Sequence, residues 1–307
     1  MPNAPTFVRT PDEAFANLSD FPWSPRYLEW SGLRLARIDE GPANAPVALL
    51  LHGEPTWSYL YRRMIPPLLA AGYRCIAPDL PGFGRSDKPV SDHWYVIERH
   101  IESIRHLINT LDLKRITLFC QDWGGPIGLR QVVDQPQRFE RLAIMNTWLH
   151  HPEFVYSPGI RAWREAATHR MWLAWTDGNI PCGAIVARSL GRPGHDRIAL
   201  QHAYEAPFAV GPQAKAGARR FPFCIPFGEP EAGNAMDQSR CFAALKTLGI
   251  KTHFIFGDAD PVFTADWARE WSAQMPGSTL DLLAGATHFV QEDAGEEVVA
   301  TFLNRRG

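Results

Sequence analysis

Val47–Leu51 is an unbroken apolar run that stops abruptly at His52-Gly53-Glu54-Pro55. A strand with one wet face alternates polar and apolar residues. A continuous run instead suits a strand covered on both faces, as in a parallel sheet sandwiched between helices. The same reading makes strands of 27–30, 33–38, 74–78, 115–120, 142–146, 252–256 and 279–283. Helical stretches at 60–70, 93–111, 125–134, 239–248, 265–275 and about 292–303 fall between them. Strands alternating with helices imply right-handed crossovers and a doubly wound α/β sheet. The alternation breaks near residue 147, and to about 226 the chain is rich in Trp, Pro and Arg with no clear strand. The expected organisation is an α/β core of residues 1–148 and 227–307, with an inserted helical cap at 149–226. Ligands of open α/β sheets bind at the carboxyl ends of the strands, where such a cap would enclose a dry pocket.

Composition removes several classes of function. Thirty-one Lys and Arg against 33 Asp and Glu leave a net charge of −2, so no basic footprint for nucleic acid is expected. Cys75, Cys120, Cys182, Cys224 and Cys241 are odd in number and scattered without CxxC spacing. That argues against a disulfide framework or a zinc site and for a reducing, cytoplasmic compartment. The first residues show no signal-peptide pattern, and no apolar run reaches the ~18 residues of a membrane helix. The expectation is a cytoplasmic enzyme without metal or cofactor, a monomer or weak homo-oligomer, with neither nucleic acid nor membrane as partner. One count stands out: 11 Trp, with Trp148, Trp163, Trp172 and Trp175 close together.

The strand at 115–120 runs through Gln121-Asp122-Trp123-Gly124-Gly125 directly into a helix. Small residues at Cys120 and Gly124 flank Asp122 at the spacing of a nucleophile elbow, a strand-to-helix turn too sharp for larger side chains. Helix capping would account for an Asp here, but not for the small flanking residues. An elbow needs an acid and then a His further along, each just past a strand end. Asp258 and Asp260 follow the strand at 252–256, and His288 follows the strand at 279–283. Asp260 is the better acid and Asp258 a loop cap. The rival acid position after the strand at 142–146 holds an amide, Asn146.

An Asp nucleophile narrows the chemistry. A carboxylate that attacks a saturated carbon forms an alkyl ester, which His-activated water can reopen. Asp122 is therefore expected to displace a leaving group from an alkyl halide or an epoxide. His288 is the base of the second step and Asp260 its orienter. The oxyanion donors expected are the backbone N–H groups of Glu54 and Trp123. A halide leaving group needs neutral donors in an apolar cage, which indoles supply. An epoxide needs a proton source, for which the cap offers only Tyr156 and Tyr204. An epoxide hydrolase is one alternative reading. A hydrolase-fold binding protein without chemistry is the other, set back by candidates for all three catalytic positions.

His52-Gly53-Glu54-Pro55-Thr56-Trp57, the stretch from Asp79 to Pro89, Gln121-Asp122-Trp123-Gly124-Gly125 and His288-Phe289-Val290-Gln291-Glu292 resemble the haloalkane dehalogenases of the α/β-hydrolase superfamily. The similarity extends over nearly the whole chain, including 204–208 and 215–222 in the cap. Within the family it lies nearest the branch typified by a Xanthobacter enzyme that cleaves short dihaloalkanes. The resemblance implies a small apolar halogenated substrate and a halide held by Trp123 and one cap indole. Trp172 is favoured for the latter, with Trp175 and Trp163 behind it.

Overall fold

The computed structural model describes residues 4–170, 179–227 and 234–305. The strands are β1 (Phe7–Val8), β2 (Arg26–Trp30), β3 (Leu33–Glu40), β4 (Val47–Leu51), β5 (Arg74–Pro78), β6 (Lys88–Pro89), β7 (Ile116–Gln121), β8 (Phe139–Met145), β9 (Lys251–Gly257) and β10 (Thr279–Leu283). Eight form one sheet in the order β10-β9-β8-β7-β4-β5-β3-β2. It is parallel from β10 to β5, while β3 and β2 join antiparallel. The helices are α1 (Ile65–Ala70), α2 (Ile97–Thr110), α3 (Gly124–Asp134), α4 (Pro158–Glu165), α5 (Cys182–Arg188), α6 (Arg197–Glu205), α7 (Ala216–Arg220), α8 (Ala235–Leu245), α9 (Ala265–Ala273) and α10 (Val290–Asn304).

The continuous apolar runs behave as two-sided strands. Val47, Leu49 and Leu51 of β4 join a core with α2, α3, α8 and α9. Ala48 and Leu50 point the other way, into a second core with α1 and α10. Each fully buried Leu contributes roughly 1.5–3 kcal/mol. In α2, Ile97, Ile101, Ile104 and Ile108 recur at helical spacing and are all buried, so one face of the helix meets the sheet.

Two expectations change. The helix read at 60–70 is a 3-10 turn, Ser58–Tyr61, followed by the shorter α1. Pro66 and Pro67 lack N–H donors and fit only the first turn of a helix. The helix read at 93–111 is a separate turn, Asp92–Trp94, and then α2. The antiparallel pair β1–β6 was not expected. Asp87 accepts from Arg9, 78 residues earlier, at 2.6 Å.

Between β8 and β9 the described residues form helices and turns with no strand. They pack over the carboxyl ends of the parallel strands. Phe221 lies edge-on to Trp123, with ring centroids 5.3 Å apart. A Cβ on Gly159 would come within 2.0 Å of Pro261 O, so glycine lets α4 lie directly on the loop after β9. Ser157 caps α4 and its hydroxyl donates to Val262 O at 2.6 Å, fastening the same contact. Deeper in, Arg62, Glu292 and the Tyr204 hydroxyl form a buried ion-pair and hydrogen-bond network that ties α6 to α10. No described helix is long and apolar enough to cross a membrane.

Candidate active site

Three strand ends bring the predicted side chains together. Asp122 sits between β7 and α3 with φ of 51°, in the left-handed region that L residues rarely occupy. The turn holds it there. Asp122 N–H donates to Asn146 O at 3.0 Å, and its carbonyl accepts from the Thr147 hydroxyl at 2.5 Å. A Cβ on Gly124 would come within 2.2 Å of Leu51 O, so only glycine lets the helix start this close to β4. Asp122 Oδ1 accepts the Glu54 backbone N–H at 2.8 Å.

That donor is positioned by His52. Leu80 N–H donates to His52 Nε2 at 3.0 Å, which makes Nε2 the acceptor and leaves the ring proton on Nδ1, 2.8 Å from Gly53 O. Burial lowers the His52 pKa and keeps the ring neutral. Burial and the Asp122 charge together push the Glu54 carboxyl well above the usual carboxylate range.

His288 lies past β10 with Nε2 3.5 Å from Asp122 Oδ2 and Nδ1 3.0 Å from Asp260 Oδ2. A carboxylate only accepts, so Nδ1 carries a proton toward Asp260. Burial disfavours charge on His288, but Asp260 and Asp122 outweigh it and raise the pKa to about 10. Asp260 is itself held: Asn146 Nδ2 donates to Oδ2 at 2.9 Å and Val262 N–H donates to Oδ1 at 2.7 Å. The amide at 146, in sequence only a reason to look elsewhere for the acid, thus grips the carboxylate. Asp258 is exposed and accepts the Gly285 N–H at 2.7 Å, a loop cap.

These groups wall a cavity of about 200 Å³. Asp122, Glu54 and His288 line its base. Trp123, Trp148 and Trp163 supply indole walls, and Phe263 packs flat on Trp148 at 4.9 Å between centroids. Trp163, the third-ranked candidate for the cap indole, is therefore at the cavity. Trp172 and Trp175 lie outside the described residues. Trp148 was counted only within the Trp cluster, yet its indole N–H is buried without a partner. Its place three residues past β8, beside the elbow, was the available signal. Tyr156 and Tyr204 are not among the lining residues. The Tyr156 hydroxyl donates to Pro226 O at 3.2 Å, and that of Tyr204 donates to Glu292. All five cysteines are free and buried. Among the described residues, no group of three or more His, Cys, Asp or Glu is arranged to hold a metal ion.

A mostly parallel sheet carrying an elbow at the end of β7, with an acid and a His past β9 and β10, defines an α/β hydrolase. The family model for the alpha/beta hydrolase fold matches residues 46–166. Named haloalkane dehalogenases align over almost the full length. One from Psychrobacter cryohalolentis is 42% identical over 95% of each chain, and one from Mycobacterium marinum is 39% identical over 97% of this chain and 98% of its own. A solved haloalkane dehalogenase from Paraglaciecola agarilytica, described as tetrameric, superposes with a TM-score of 0.89 at 36% identity, covering 98% of each chain. The chain belongs to the haloalkane dehalogenase family, hydrolases that act on carbon–halogen bonds.

Proposed function

We propose that this chain converts haloalkanes and water to alcohol, halide and a proton through a covalent ester on Asp122. An Asp122 oxygen attacks the halogen-bearing carbon, and the C–X electrons leave with the halide. Water then adds to Cγ of the ester while its proton passes to His288 Nε2, with Asp260 holding Nδ1. The Glu54 and Trp123 backbone N–H groups stabilise the oxyanion. Collapse breaks the Cγ–alkoxide bond, and the alkoxide takes the proton from His288. The proton left on Asp122 passes to His288, which restores the resting carboxylate and imidazolium, and the one net proton is the one His288 loses to solvent once alkylation cancels the Asp122 charge. Trp123 and a cap indole hold the departing halide, with Trp172 the first candidate and Trp175 and Trp163 the others. The functional division is a core of 1–148 and 227–307 with a cap of 149–226.

The observation that carries this reading is an elbow carboxylate whose own oxygens meet both an oxyanion donor and the His base. The engaged hydroxyls of Tyr156 and Tyr204 weigh against an epoxide hydrolase. Halide release from a panel of chloro-, bromo- and iodoalkanes tests the function. The parent should release halide and Asp122→Ala should not. Diol formation from epoxides without halide release would overturn the reading.

Five free, buried cysteines support a cytoplasmic location. For assembly we favour a monomer or weak homo-oligomer. Among the described residues, the exposed large hydrophobics are Val96, Val155, Ile198 and Met236, each on a different segment of the chain. Light scattering across micromolar concentrations would reveal a tetramer like that of the Paraglaciecola relative.

A further inference from the structure

The residue before the nucleophile does more than complete β7. Gln121 is wholly buried, and its amide nitrogen lies 3.1 Å from the His288 carbonyl oxygen and 3.1 Å from His288 Nε2. A carbonyl only accepts, which identifies the amide nitrogen and points one N–H at the backbone. The second N–H faces the ring nitrogen that must act as base. The amide oxygen is left buried without a partner. Such a group costs stability, so the orientation is retained against an energetic penalty.

Resting on the ester mechanism above, we propose that Gln121 is a positioning residue that gives the His288 Nε2 lone pair a donor, holding the ring neutral in its Nδ1–H form in the alkyl-enzyme. The groups facing the ring divide cleanly. Asp260 at Nδ1 and Asp122 at Nε2 favour the imidazolium, while burial pushes the Glu54 carboxyl beside Asp122 toward its uncharged form. From α10, Glu292 is engaged by Arg62 and Tyr204. Asp293 is occupied by the Thr287 hydroxyl and N–H and by His195. Alkylation cancels the Asp122 charge, and Gln121 then opposes Asp260 alone. The hydrogen bond that Gln121 donates to Nε2 yields when the attacking water transfers its proton.

The test is rapid-quench turnover of a bromoalkane at several pH values, following bromide and alcohol separately. Gln121→Leu removes the donor, and Gln121→Glu puts an acceptor in its place. Both should still give a bromide burst and accumulate the Asp122 ester. The pH midpoint of ester hydrolysis should move up by about 0.5–1 unit for Gln121→Leu, the worth of one neutral hydrogen bond, and further for Gln121→Glu. Burst and hydrolysis falling together with an unmoved midpoint would overturn the inference and leave Gln121 a packing residue. Absence of any ester, in parent and variants alike, would instead sink the ester mechanism.

Discussion

Replacing Asp122 by Asn puts an uncharged isostere where the ester stands in mid-turnover, and its effect on His288 can be worked out. Asp122 Oδ2 is 3.5 Å from Nε2. Unit charges at that distance interact by about 5 kcal/mol at an effective dielectric constant of ~20, equivalent to roughly three and a half pH units. With both carboxylates charged the His288 pKa stands at about 10. In Asp122→Asn it should therefore fall to roughly 6–7. The sign matters for mechanism. Before alkylation the ring is protonated at neutral pH, and after it the ring becomes a competent base when water must be activated. Alkylation thus switches on the base for the step that follows. Nitrogen-15 NMR of labelled imidazoles from pH 5 to 11, with His288→Gln assigning the resonance, measures both values. A variant within one unit of the parent, or a parent already near 6.5, would refute the reasoning.

Two further outcomes follow. A Cβ on Gly53 would come within 2.1 Å of Asp122 Oδ1, so Gly53→Ala should displace the nucleophile and lower kcat/KM by about 10²-fold. The far-UV circular dichroism should be unaltered, and near-parental activity would contradict this. His100 is buried with neither ring nitrogen paired, and burial, helped by nearby His52, lowers its pKa to about 3. The unfolded chain binds that proton below about pH 6.5 and the folded one only near 3, so stability falls with pH across this window by up to ~1.4 kcal/mol per unit. His100→Phe keeps a ring against Phe221, 4.8 Å away in the parent. Urea unfolding at pH 7, 5.5 and 4.5 should show a shallower loss for this variant, and equal slopes would argue against it.

Features that depend on local pattern were legible in the sequence. The bounds of β4 match the reading because its unbroken apolar run ends at turn residues, and those of β5 and β10 match because turns close both strands. Asp122 and His288 were legible because an elbow demands small neighbours and a fixed chain order. Features that depend on distant partners were not. Nothing near Phe7 announces pairing with Pro89, and nothing near Asp87 announces Arg9. Asn146 and Gln121 were passed over for the same reason. An amide becomes informative only when its carboxylate or imidazole partner, 114 or 167 residues away, is known. Nor does spacing alone tell which of several clustered indoles turns toward the cavity.

The central claim is that Asp122 becomes covalently alkylated and that His288 releases it. His288→Phe, incubated with a short bromoalkane and digested, should yield the Asp122 peptide heavier by one alkyl group, with one equivalent of bromide released and no turnover. An unmodified peptide with bromide release continuing, or the alkyl group on another residue, would contradict it.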